Sequence, residues 1–177
     1  MLIKIFFNTQ SIALLFAAII SPLNALAGTD SKSTTIKFVL GTSEVLNYQK
    51  LSCPPSYLGG TITGVGTGKI IVNEKSTPLG IVSLAADDCI TPLDFTHFSA
   101  EGNATFSTNS GGSITAHYSV SFVPTDVPLI YKYENFILQV TGGTGTFSGI
   151  TGYGTVEGAS NIQTGQGVIE GTVFISK

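Results

Sequence analysis

The chain has no arginine, no tryptophan and one methionine, and only 11% of its 177 residues are charged. Arginine is the side chain that grips phosphate or guanine at two points through a planar fork. Without it, and with eight lysines against eleven acids for a net charge of −3, no nucleic-acid partner is expected and anionic surfaces are poor partners. Long apolar runs are missing after the first 27 residues, so no transmembrane segment is expected in the remainder. No segment of helical length there repeats its apolar residues every 3.6 positions. Histidines and cysteines number two each, which leaves little material for a metal centre.

The N-terminus is the exception. Lys4 precedes an apolar run over 11–20, Pro22 breaks it, and Ala25-Leu26-Ala27 sets small residues where a signal peptidase reads. This predicts a secretory signal peptide over 1–27, cleaved between Ala27 and Gly28. The competing reading is an anchor, but ten residues are half of the about 20 a span needs. Cleavage places the protein in the periplasm or outside the cell. Residues 28–34, GTDSKST, read as a flexible leader, and 35–177 as a single domain with a sizeable core. Loss of Lys4 moves the net charge to −4.

In an exported chain Cys53 and Cys89 are expected to form a disulfide. Free thiols or a metal site are the alternatives, although neither cysteine has a further ligand at useful spacing.

What the chain has in abundance is glycine, threonine and period-two patterning. All 21 glycines follow residue 27. In SITAHYSVSFV (113–123), Ile114, Ala116, Tyr118, Val120 and Phe122 share one face and polar residues the other, the mark of a half-buried strand. Phe98, Ala100, Gly102, Ala104 and Phe106 are in phase before it, and NSGG (109–112) is a hairpin signal. Centring that turn on Ser110-Gly111 sets His117 opposite Ala104. Further strands are expected at 35–41, 44–51, 59–64, 67–73, 79–85, 134–141, 145–149, 153–159 and 167–175, with turns at Pro54-Pro55, 74–80, Pro124, Pro128 and 161–167. SLAADD (83–88) could make one helical turn at most. Many short strands at this spacing predict an all-β antiparallel protein, a closed or nearly closed barrel of about eight strands, with a β-sandwich as the competitor.

The glycine block TGGTGTFSGITGYGT (141–155) invites three ligand readings. As a dinucleotide loop it fails, because Gly149 lies one residue too far for G-x-G-x-x-G after Gly143 and Gly145, and no helix pattern follows. GVGTGKI (64–70) fails as a phosphate loop, with Thr63 and Ile70 in place of required residues. As a calcium nonapeptide the block has Phe147 where an aspartate ligand belongs, and no tandem array. No nucleotide, cofactor or metal is therefore expected. The block reads as strand, turn and strand: Gly142, Gly143, Gly145, Gly149, Gly152 and Gly154 serve backbone geometry, and Phe147, helped by Ile150, plugs a core. GGTITGVGTGKI (59–70) echoes the device.

GGTGTFSGITGYGTVEG, together with TGVGTGKI, the paired cysteines and GNATFSTNSGGSITAHYSVSF, resembles a group of small exported bacterial proteins. In them arginine usually stands at the place of Thr146 and alanine at that of Ile150. That group is similar to the allene oxide cyclase and dirigent barrel superfamily, and the likeness covers roughly 59–173. It implies an eight-stranded antiparallel barrel around an apolar cavity that steers a reactive hydrophobic substrate. No catalytic residue of those enzymes maps onto a position here.

His97 and His117 read as surface or lumen residues, since the hairpin register keeps them apart. Asp87, Asp88 and Asp94 cluster near Cys89, either as a solvated loop or as a weak cation site of oxygen ligands. One of Glu101, Glu134, Glu157 and Glu170 could face a cavity and have a raised pKa. Three functions fit. The first is an exported barrel that binds a small hydrophobic ligand without catalysis. The second is an isomerase or cyclase-like enzyme that uses a cavity. The third is a structural or adhesive module. A titratable carboxylate or tyrosine inside an apolar cavity would favour the second.

Overall fold

The computed structural model describes residues 34–48, 50–54 and 57–177. The expected signal peptide and most of the leader lie outside them. The chain is a closed, all-antiparallel, up-and-down barrel of eight strands. These are β1 (Thr34–Asn47), β2 (Leu58–Val72), β3 (Lys75–Pro92), β4 (Phe98–Thr108), β5 (Gly112–Pro124), β6 (Ile130–Thr144), β7 (Thr151–Asn161) and β8 (Gln166–Ser176). β8 pairs back onto β1, from Thr34 opposite Ile175 to Ser43 opposite Gln166. Closure leaves no free edge, and the sandwich alternative falls.

Alternation along each strand divides lumen from outer wall. Ile36, Phe38 and Leu40 of β1 point inward with Ile114, Ala116, Tyr118, Val120 and Phe122 of β5, and all are buried. On β2 several inward positions are glycine. The space at Gly64 is filled by Leu84 and Thr42, and that at Gly68 by Val82 and Leu79. Large side chains from neighbouring strands thus fill a lumen that eight full-sized strands would overcrowd.

The strand number is as expected, but several strands are longer than the stretches read from the sequence, which merge. The stretch 35–41 and the first half of 44–51 join into β1, which ends at Asn47, and 59–64 and most of 67–73 join into β2. The turn expected over 74–80 shrinks to Asn73 and Glu74, both with positive φ, and β3 runs on through Pro78, past a register shift at Gly68/Lys69. SLAADD lies within β3 and makes no helical turn. The 109–112 hairpin forms, but Thr108 pairs with Gly112, so the turn holds Asn109, Ser110 and Gly111. Gly111 takes φ +89°. His117 therefore faces Asn103 rather than Ala104.

The glycine block departs from expectation at one place. Residues 145–149 are not a strand: Gly145–Phe147 form one turn of 3-10 helix between β6 and β7. Gly145 and Gly149 have φ +57° and +75°, the left-handed region that glycine reaches without strain. This turn directs Phe147, 3% exposed, and the buried Ile150 into the core at this end of the barrel. Gly143 leaves the room Phe147 occupies, while Gly142 pairs with Thr115 of β5 near the end of β6, and Gly152 and Gly154 pair with β8. The opposite end, ringed by the β1–β2, β3–β4, β5–β6 and β7–β8 connections, carries the open mouth.

Candidate functional site

A recess of about 430 Å³ opens at that mouth, with Leu46, Leu58, Ile90, Phe98 and Ile162 among its walls. Beneath it lies a smaller cavity of about 50 Å³, walled by Ile62, Leu84, Phe136, Leu138 and Val156 among others. Glu44 and Phe122 line both. The inner cavity has room for a small polar group or a few waters and is far below the 300–1,000 Å³ usual for a ligand pocket. Of the two, the recess has room for the body of a small molecule.

Two strands deliver carboxyl groups to the inner cavity. On β1 the phase of Ile36, Phe38, Leu40 and Thr42 carries on to Glu44. On β3 the phase of Val82, Leu84 and Ala86 carries on to Asp88, 3% exposed. Gly60 of β2 lies opposite Asp88. Glu44 Oε1 and Asp88 Oδ1 both crowd the point where a Cβ on Gly60 would stand, which brings them within about 5 Å of each other. Both oxygens are buried and neither makes a well-formed hydrogen bond, although the Gly60 backbone N–H beside Asp88 offsets part of its pKa rise.

The other Asp88 oxygen is satisfied. Tyr118 of β5 donates its hydroxyl to Oδ2 at 2.9 Å. Tyr118 packs on Phe136, and Phe136 on Tyr133, with ring centroids 5.6 and 5.8 Å apart. Both Tyr133 and Phe136 reach the lumen because β6 breaks its alternation. Asn135 takes φ +51°, and the β6–β7 register shifts between Lys132 and Ile137. Bulges of this kind re-aim side chains next to functional sites.

Charge in this setting is costly. Burial raises the Glu44 pKa from 4.5 to about 7, with the nearby Asp88 carboxylate adding to the shift. Burial also raises Asp88, partly offset by the Tyr118 hydrogen bond and by Lys50. Tyr118 is pushed upward by burial and by Asp88, and so stays a neutral donor. Tyr133 moves the same way through burial, moderated by the Ser160 hydroxyl beside it. A carboxyl that titrates near neutrality can bind a donor, bind a cation or move a proton.

Lys50 and the disulfide secure the mouth. Lys50 Nζ donates to Gly60 O at 2.6 Å, Asp87 Oδ1 at 2.9 Å and Asp88 O at 3.2 Å. Its aliphatic stem fills the space left by Gly59. Cys53 and Cys89 form a disulfide across 36 positions, which ties the β1–β2 connection to β3.

The acidic cluster expected near Cys89 is split three ways. Asp88 is in the lumen. Asp87 is on the outer wall, its pKa lowered by Lys50 and by Thr61. Asp94 is in the β3–β4 connection, where it accepts from the backbone N–H groups of Thr96 and His97 at 2.7 and 2.8 Å and lies 2.8 Å from His97 Nδ1. Because β3 extends through Asp87 and Asp88, the solvated-loop reading holds for Asp94 alone, and the three aspartates are not brought together around one point. His117 is on the outer wall beside Asn103. Glu101, Glu134, Glu157 and Glu170 are exposed, with Glu134 paired to Lys132. Among the described residues no three of His, Cys, Asp and Glu are placed to hold a metal ion. Glu44, Tyr133 and Ser160 were not singled out from the sequence. An unbroken β1 is the signal that would have found Glu44.

No family model and no curated protein matches the chain. The structural neighbours are dirigent proteins. The pterocarpan synthase dirigent protein GePTS1 aligns with a TM-score of 0.46 and 13% identity, over 81% of this chain and 84% of its own. The pterocarpan synthase dirigent protein PsPTS1 gives 0.47 and 14%, over 82% and 95%. The strand pairing itself establishes the eight-stranded barrel.

Proposed function

We propose that this protein binds a small hydrophobic molecule in the mouth recess, with the ligand's polar end directed at Glu44 and Asp88. The observation that supports this is two buried carboxyl oxygens that no side chain satisfies, in the small inner cavity beneath the recess, with Glu44 lining both. A buried acceptor left unmade costs about 1–3 kcal/mol, and more when charged, so a ligand donor placed there is strongly favoured. The barrel holds this arrangement on strands, which position side chains more rigidly than loops do. Native mass spectrometry of the protein from its own host tests the reading. The expected spectrum shows one small adduct per chain, lost in Leu58→Arg, which places a charge in the recess. Protein free of any adduct, and indifferent to added apolar probes, would refute it.

A second reading, proton-transfer catalysis of an isomerase or cyclase type, is favoured by one feature: Glu44 titrates near neutrality inside an apolar site. In that case Glu44→Gln would abolish turnover of the bound compound and leave its binding in place. We further propose that the chain is exported by a cleaved signal peptide over 1–27 to the periplasm or beyond. The disulfide fits an oxidising compartment. Among the described residues no helix is long and apolar enough to cross a membrane.

A further inference from the structure

Resting on the ligand-binding reading above, we infer that the ligand's polar end is a primary ammonium seated between Glu44 Oε1 and Asp88 Oδ1, with a hydrocarbon body in the mouth recess. Asp88 is nine-tenths buried and more, yet its Oδ1 is aimed at a point beside Gly60 that Glu44 Oε1 also faces, and no side chain donates to either oxygen. Two acceptors converging within about 5 Å call for a group with several donors at one atom. An ammonium supplies three.

Charge decides between an ammonium and a neutral hydroxyl. Four titratable groups meet here: Glu44 of β1, Asp88 of β3, Tyr118 of β5 and Tyr133 of β6. Both tyrosines are neutral, so the carboxyls leave the site negative once Glu44 ionises. Among the described residues Lys50 is the cation that acts on Asp88, and its three donors are committed to Gly60 O, Asp87 Oδ1 and Asp88 O. A buried carboxylate left uncompensated is strongly costly, and a cation repays its own desolvation where its donors are all satisfied, as three ammonium N–H groups between two carboxyl oxygens can be. A carboxylate or phosphate end would add like charge and is excluded. Size agrees: about 50 Å³ admits an ammonium and the carbon it is attached to, while the chain beyond fills the larger recess.

The test is calorimetric titration of the disulfide-intact protein with n-octylammonium, n-octanol and n-octanoate at pH 8.0 and 5.5. Octylammonium stays charged at both values, as a lysine side chain does. The inference expects octylammonium to bind at least tenfold more tightly than octanol at pH 8.0, octanoate to bind most weakly, and the ammonium preference to shrink several-fold at pH 5.5. Glu44→Gln should erase the preference, octylammonium losing at least tenfold and falling to the affinity of octanol. Gly60→Ala, whose methyl group would stand between the two oxygens, should weaken octylammonium and spare octanol; it serves if Glu44→Gln fails to fold. Equal binding of octanol and octylammonium, or tighter octanoate, overturns the ammonium and leaves the recess as a ligand site. Binding of none of the three overturns both.

Discussion

Glu44 shows how much one residue's surroundings decide. On an exposed strand it would be an ordinary acid; in this lumen it is held near neutrality. The folded barrel binds its proton more tightly than the unfolded chain does, so Glu44 favours folding most below about pH 4.5. Stability then falls as pH rises to about 7. Asp88, raised for the same reason, acts in the same direction. Asp87 and Asp94, both lowered, act the other way but at lower pH. Urea midpoints between pH 5 and 8 should therefore decline, and Glu44→Gln should remove up to about 3 kcal/mol of that decline. A variant as pH-dependent as wild type would place the titration elsewhere. At the far end of the lumen, Phe147→Ala should cost about 3–5 kcal/mol, the range for a buried phenylalanine. A melting temperature within a degree of wild type would show that Phe147 is no plug.

At the scale of the element, what could be read from the sequence depended on whether alternation was unbroken. β4 and β5 alternate without interruption, and their inward residues, Tyr118 among them, were legible. β1 and β3 were cut short by glycine and proline signals that the barrel absorbs as paired strand. Cutting β1 at Gly41 hid that Glu44 continues the inward phase, and the truncated β3 left Asp87 and Asp88 looking like a loop. On β6 the pattern itself misleads, because a residue with positive φ resets the phase between Tyr133 and Phe136. That reset is a tertiary arrangement, and the local sequence around Asn135 contains no glycine to announce it. The glycine block was legible as structure, but its centre is a 3-10 turn. Gly149→Val tests the turn: a side chain there meets open space, so any loss comes from φ +75° alone and should be about 1–2 kcal/mol. Asn135→Val should cost about 1–3 kcal/mol by the same mechanism and should also weaken binding of an apolar probe, since the bulge aims Tyr133 and Phe136. Loss of stability without loss of binding would separate the bulge from the site.

At the scale of the whole molecule the two ends of the barrel are closed by different means. One is plugged from within by Phe147 and Ile150. The other stays open, and the β1–β2 connection beside its mouth is tethered by Lys50 and by Cys53–Cys89. The plug belongs to the hydrophobic core, so it forms whenever the barrel forms. The tether is covalent and depends on the redox state. A bridge closing a loop of this length stabilises by about 3–4 kcal/mol on the chain-entropy model, against a usual total of about 5–15 kcal/mol for a domain. Reduction should therefore lower the melting temperature by roughly 10 °C and leave the β-type circular dichroism intact at room temperature. Because the bridge sits at the mouth, reduction should also weaken probe binding in the recess. Phe147→Ala, acting at the other end, should lower stability by a similar amount and leave probe affinity nearly unchanged. Melts and titrations of the reduced wild type and of oxidised Phe147→Ala make the comparison. Equal loss of affinity in the two would mean that binding follows global stability, and that the mouth has no special dependence on its tether.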